Sequence, residues 1–129
     1  NIDTGQVDWV YKDREFAYFS SPAVNDRFVV FGGRDRRVHC LHRTDGELAW
    51  VFPTRGRVDS SPVITGDKVV VGSEDGRLYL IGLSDGTERW SYEIGEAITG
   101  SPAVAEGLVV IGADDGLVYA FGPKHEGTE

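Results

Sequence analysis

Short apolar runs separated by turn-forming residues recur along this chain. Runs such as 69–71 and 108–111 are a few residues long and rich in β-branched side chains, and a glycine closes the central run of each copy at Gly32, Gly72 and Gly112. No stretch has helical periodicity, so the pattern predicts short strands. In the last part of the chain the expected strands are 100–105, Leu108–Gly112 and 117–121, preceded by Glu88–Glu93. Glu106-Gly107, the segment 113–116 and Ser84-Asp85-Gly86 supply the Gly and Asp residues that turns between them require.

The pattern repeats every 40 residues. Ser-Pro recurs at Ser21-Pro22, Ser61-Pro62 and Ser101-Pro102, and an acidic residue recurs at Asp35, Asp75 and Asp115. Gly-x-x-x-Trp recurs as Gly5 with Trp9, Gly46 with Trp50 and Gly86 with Trp90. One extra residue between Trp9 and Ser21 breaks the spacing. Four antiparallel strands in about 40 residues is the size of one β-propeller blade. The fold class is therefore all-β, with repeats over about 4–43, 44–83 and 84–129 of a single propeller segment that spans 1–129.

Composition narrows the function. The 129 residues carry 13 Lys+Arg against 21 Asp+Glu, a net charge of -8 that repels phosphate and argues against nucleic acid. No apolar run approaches the roughly 18 to 20 residues of a membrane-crossing helix. A single cysteine, Cys40, excludes an internal disulfide framework. The chain contains no Met, so a mature or excised piece is expected. Charge is graded: residues 1–43 hold 7 basic and 6 acidic groups, 44–83 hold 4 and 6, and 84–129 hold 2 and 9. A head-to-tail contact between first and third copies is electrostatically complementary.

The three copies resemble the quinoprotein-type (PQQ-like, BamB-like) β-propeller repeat family, whose tryptophan-docking motif places Thr-Gly-x-x-x-Trp after a strand reading Ala-x-Asp. Thr4-Gly5 with Trp9, Asp45-Gly46 with Trp50 and Asp85-Gly86 with Trp90 carry the likeness, while His42, Gly82 and Gly122 depart from it at the Asp. The family includes both quinone-dependent dehydrogenases and non-enzymatic assembly scaffolds, and its resemblance implies a periplasmic or extracellular setting. A dehydrogenase would imply a vicinal cysteine pair, an Asp base, Glu and Asn calcium ligands and a Trp platform. One Cys, with Asn1 and Asn25 as the only Asn residues, does not supply that set. A fragment of such a dehydrogenase is the alternative reading.

Known propeller rings have about four to eight blades, so three do not close. The segment around Trp9 reads as an outer strand without its blade, and the third copy lacks its outer strand; that segment is the expected partner of the last blade. Either two copies exchange strands in a six-bladed homodimer, or the chain is part of a longer propeller.

Features present in all three copies are architectural. Ser21, Ser61 and Ser101 are expected to serve the backbone, Asp35, Asp75 and Asp115 to form turns, and Trp9, Trp50 and Trp90, with Gly5, Gly46 and Gly86 of the docking motif, to plug the space between adjacent blades. No catalytic residue, cofactor site or metal site is assigned. His39, Cys40 and His42 do not make a zinc set, because alternation places only Cys40 and His42 on one face. Departures from the repeat mark a candidate protein-binding patch. Arg14, Phe16 and Tyr18 are expected beside Arg34 and Arg36 at one end of the ring, joined by Arg55 and Arg57 of the next copy.

Overall fold

In a computed structural model describing residues 1–13 and 15–123, eleven strands form three antiparallel sheets. The first contains β1 (Ala23–Val24), β2 (Phe28–Gly32), β3 (Arg37–His42) and β4 (Leu48–Pro53) in sequential order. The second contains β5 (Val63–Thr65), β6 (Lys68–Gly72), β7 (Arg77–Gly82) and β8 (Glu88–Glu93) in the same order. The third contains β9 (Ala103–Ala105), β10 (Leu108–Gly112) and β11 (Val118–Phe121). Each sheet is one blade. No helix among the described residues is long and apolar enough to cross a membrane.

Local chemistry fixes the turns. Asp35, Asp75 and Asp115 each accept the amide two residues on, at Arg37, Arg77 and Leu117, so one acidic position starts every third strand. Glu106 and Gly107 both take positive φ, 50° and 78°, which gives the tight turn from β9 to β10 the hand that matches strand twist.

Alternation gives each blade two faces, and the core lies between blades. Phe28, Val30, Val38, Cys40, Trp50 and Phe52 of the first blade bury against Val69, Val71, Tyr79 and Ile81 of the second. The opposite face of the second blade, with Val70, Leu78 and Leu80, buries against Val109, Ile111, Tyr119 and Phe121 of the third.

Two polar joints cross these seams. The Trp50 indole Nε1–H donates to the Leu83 carbonyl at 2.7 Å. Its ring lies so close to Gly86 that a Cβ there would stand 2.5 Å from Cδ2, so only glycine admits it. At the innermost strands the Ser21 amide donates to Ser61 Oγ at 2.7 Å, and the Ser61 amide donates to Ser101 Oγ at 3.1 Å. This contact explains why the innermost strands are shorter than expected: residues 100–102 turn toward the neighbouring blade and only Ala103–Ala105 pair in the ladder.

The segment around Trp9 stands apart from the three sheets. It does not complete the third sheet of its own chain, and residues 1–12 form no ladder. Instead the Trp9 Nε1–H donates to the Arg43 carbonyl at 2.8 Å, and its ring covers Gly46 as Trp50 covers Gly86. The docking partners of Trp9 belong to the first blade, which holds the segment on that side.

Trp50 is 8% exposed and Trp90 is 40% exposed. Trp50→Ala is expected to cost about 3–5 kcal/mol and Trp90→Ala less than half of that, measured by urea unfolding. Equal costs would contradict the seam as the seat of stability.

Candidate functional site

The loop entering each innermost strand and the turn between the second and third strands lie at one end of the ring. A backbone bond ties them in every blade: Arg34 N–H to Ala17 O at 3.1 Å, Glu74 to Arg57 at 2.9 Å and Asp114 to Ala97 at 3.0 Å. This is the neighbourhood the strand order predicts. Arg14 lies outside the described residues.

The patch residues behave differently from one another. Phe16 is 51% exposed at the rim. Arg34 is not a free cation: Nε and a terminal nitrogen donate to the two oxygens of Asp59 at 3.1 and 2.9 Å, and the guanidinium lies 3.8 Å over the Phe19 ring. Arg36 is exposed, with a φ of 68°, at the position that glycine holds in the other copies as Gly76 and Gly116. Its carbonyl accepts from the Thr54 amide at 2.7 Å, which sets Arg55 close to it. Arg55 and Arg57 are exposed. Between the first two blades, Phe52, Thr54, Arg55, Arg77, Tyr79 and Glu88 line an open cleft of about 480 Å³.

Tyr18 is a correction to the expected patch. Its ring turns inward, edge-on to Phe31 at 5.2 Å and to His39 at 5.6 Å. Its hydroxyl is buried and has no hydrogen-bond partner among the described residues. With Trp9, Tyr11, Val29, Phe31 and Leu41 it lines an apolar groove of about 290 Å³ along the first blade.

A second cluster lies under the rim, and sequence reasoning reached its members only singly. In the second and third blades the repeated acid also accepts a tyrosine hydroxyl, Asp75 from Tyr79 at 2.6 Å and Asp115 from Tyr119 at 2.5 Å. In the first blade His39 replaces the tyrosine. With the ring neutral, the form burial favours, Nε2–H donates to Asp35 at 2.9 Å and Nδ1 accepts from the Tyr11 hydroxyl at 3.1 Å. Arg37 donates to Asp35 at 3.2 Å and also pairs with Asp13. The signal was the repeat itself, since a histidine at the tyrosine position needs the same acid.

Burial pushes His39 below its usual value against the pull of Asp35, and burial lifts Tyr11 to about 12. Histidine next to aspartate is a familiar base arrangement, yet here the second nitrogen is taken by Tyr11 and the ring is fully buried. Asp13, Asp35 and His39 bring potential ligand atoms within 4.8 Å of one another, but the Arg37 guanidinium bonds both carboxylates and sets a positive charge among them. Cys40 is buried, and desolvation lifts its thiol to about 12, far from a thiolate nucleophile or ligand. His42 packs on Phe28 at the solvent edge. The tryptophan positions are shared out unevenly: Trp9 with Gly46 and Trp50 with Gly86 meet, while among the described residues nothing lies within 4 Å of a Cβ at Gly5. Trp90 rests against Phe121 at 5.3 Å.

The cluster ties the Trp9 segment to the first blade, and its imidazole is held neutral. A depressed histidine value stabilises the fold above the unfolded value near 6.5 and loses that contribution as pH falls through the folded value. Stability is expected to drop between pH 7 and pH 5 more steeply in the native chain than in His39→Tyr, followed by thermal unfolding. Equal slopes would contradict this role.

A family profile described as "Outer membrane protein assembly factor BamB" matches residues 1–93 and again 34–129. No curated protein matches the sequence. Among solved structures, BamB from Moraxella catarrhalis is similar at 24% identity and a TM-score of 0.74, covering 86% of this chain and 35% of that one. A quinohemoprotein alcohol dehydrogenase from Pseudomonas putida is similar at 28% identity and a TM-score of 0.77, covering 86% of this chain and 20% of that one. One from Comamonas testosteroni is similar at 26% identity and 0.67, covering 74% and 17%. The chain thus spans about a third or less of these structures.

Proposed function

Since this chain belongs to the family of the outer membrane protein assembly factor BamB, we propose that it is a non-catalytic propeller scaffold for protein interaction or assembly, acting on the periplasmic or extracellular side. The observation that carries the reading is Arg36. A non-glycine residue at a φ of 68° costs of order 1–3 kcal/mol, and both other copies avoid that cost with glycine. Strain kept at an exposed cation, at the same end of the ring as the exposed Arg55, Arg57 and Phe16, fits a surface that holds a protein partner.

The repeated polar groups support the same reading, because they serve the architecture. The serines join blades and the acids hold turns and rings. The open Gly5 and the half-exposed Trp90 fit a tryptophan-docking ring in which the Trp9 segment completes a third blade, either of a second copy by strand exchange or of a longer chain. A quinone-dependent dehydrogenase would use a vicinal cysteine pair, and the lone buried Cys40 does not fit it.

Arg36→Gly combined with Arg55→Ser is expected to leave the melting temperature unchanged or raised, and to abolish capture of a protein partner from an extract. Undiminished capture overturns the patch. Saturable binding of PQQ in the presence of calcium, followed by absorbance, would overturn the non-catalytic reading.

A further inference from the structure

The chain carries a net charge of -8, yet one seam between its blades collects cations at the rim. Arg36 sits in the turn before β3 of the first blade, Arg55 and Arg57 lie in the loop that enters the second, and all three are exposed. The backbone fixes turn and loop to one another. Thr54 N–H donates to the Arg36 carbonyl at 2.7 Å, and the Arg57 carbonyl accepts from the Glu74 amide at 2.9 Å.

The next seam makes the same bonds with different side chains. Ile94 N–H donates to the Gly76 carbonyl at 2.8 Å and the Ala97 carbonyl accepts from the Asp114 amide at 3.0 Å, so Gly76, Gly95 and Ala97 stand in the places of Arg36, Arg55 and Arg57. The architecture therefore does not require the arginines. Around that second seam the exposed charges are Glu96, Asp114 and Asp115, and the sign at the rim reverses within one blade.

The acids of the first seam are turned to partners of their own. Asp59 takes Arg34 on both oxygens, Asp75 accepts from the Arg55 and Arg77 amides and the Tyr79 hydroxyl, Glu93 pairs with Arg77, and Glu88 accepts from the Ser91 hydroxyl; Glu74 is half-buried. Arg36, Arg55 and Arg57 keep their guanidinium groups toward solvent. Arg55 also lines the cleft of about 480 Å³, where Phe52 and Tyr79 meet edge-on at 5.1 Å. That volume falls within the range of about 300 to 1,000 Å³ that ligand pockets have.

We infer that this end of the first seam takes a short acidic peptide segment of a protein partner, its carboxylates on Arg36, Arg55 and Arg57 and a neighbouring side chain in the cleft. The inference rests on the scaffold reading above and names the chemistry of the partner. A guanidinium fork binds a carboxylate through two parallel bonds, which suits arginine over lysine at such a site. The reversal of sign limits the length of the ligand. With charges screened over about 8 Å at physiological salt, a long polyanion or a membrane surface runs onto the acidic second seam and is repelled, whereas a short segment meets the first seam alone.

Fluorescence anisotropy on the full chain tests this, with a fluorescein-labelled octapeptide of alternating Asp and Ser, whose carboxylates lie on one side of an extended backbone. Saturable binding is expected, weakening roughly fivefold from about 0.05 to about 0.3 M salt. Arg36→Gly combined with Arg55→Gly and Arg57→Ala installs the residues of the next copy, and is expected to keep the melting temperature and weaken binding about tenfold or more. Equal binding by that variant overturns the site. No binding of the octapeptide by the native chain overturns the acidic partner; if Arg36→Gly with Arg55→Ser still abolishes capture from an extract, the scaffold reading stands without it. Tighter binding of an oligothymidine of the same length, or of phosphatidylglycerol vesicles, overturns the peptide in favour of phosphate.

Discussion

A β-sheet with apolar residues on both faces is stable only when each face is covered, and at both inner seams of this chain the cover is the neighbouring blade. The joint that makes this possible is small: an indole laid flat on a glycine, its N–H spent on a backbone carbonyl, with a serine bridge at the inner end. Trp50 with Gly86 and Leu83 is the fully formed case. The bond directs the indole, the missing Cβ lets it approach, and about two hundred square ångströms of aromatic surface leave water as a result. The core between the first and second blades exists because this joint holds the two sheets at packing distance.

The same logic explains why the first blade differs from the others. Its outward face is covered by no sheet of this chain, and the Trp9 segment lies along it, pinned by Trp9 to Arg43 and by Tyr11 to His39. His39 is the adaptation that lets this happen. A tyrosine at that position spends its only polar group on the acid, as Tyr79 does on Asp75, whereas an imidazole serves Asp35 with one nitrogen and Tyr11 with the other. The first blade therefore presents a groove rather than a sealed face, and at Gly112 of the third no described residue stands within 4 Å of an added Cβ. Departures from the repeat fall at the rim and on these two faces.

Much of this was legible in the residues. The 40-residue period, the closing glycines and the turn acids place the strands, and β10 and β8 fall where the pattern sets them. Strand direction alone brings the 12–19 loop beside Arg34. What the sequence did not disclose are side-chain partners that cross a seam. Arg34 reads as a free cation until Asp59, a residue of the next repeat, is seen to take it. Tyr18 reads as a rim aromatic because a loop position has no alternation to say which way it points. Asp35 reads as a turn former, which it is, but its second oxygen is committed to His39 by burial that no local pattern encodes.

The most direct test of the joint as the controlling element is amide hydrogen exchange in Gly86→Ala, where the new methyl would stand 2.5 Å from the Trp50 ring at a φ of 69°. If the joint holds the sheets together, the amides of Val30, Val38, Val69 and Ile81, which lie on both sides of the seam, lose protection together by a similar factor. Loss confined to residues 85–87, with those four amides as slow as in the native chain, would contradict the account.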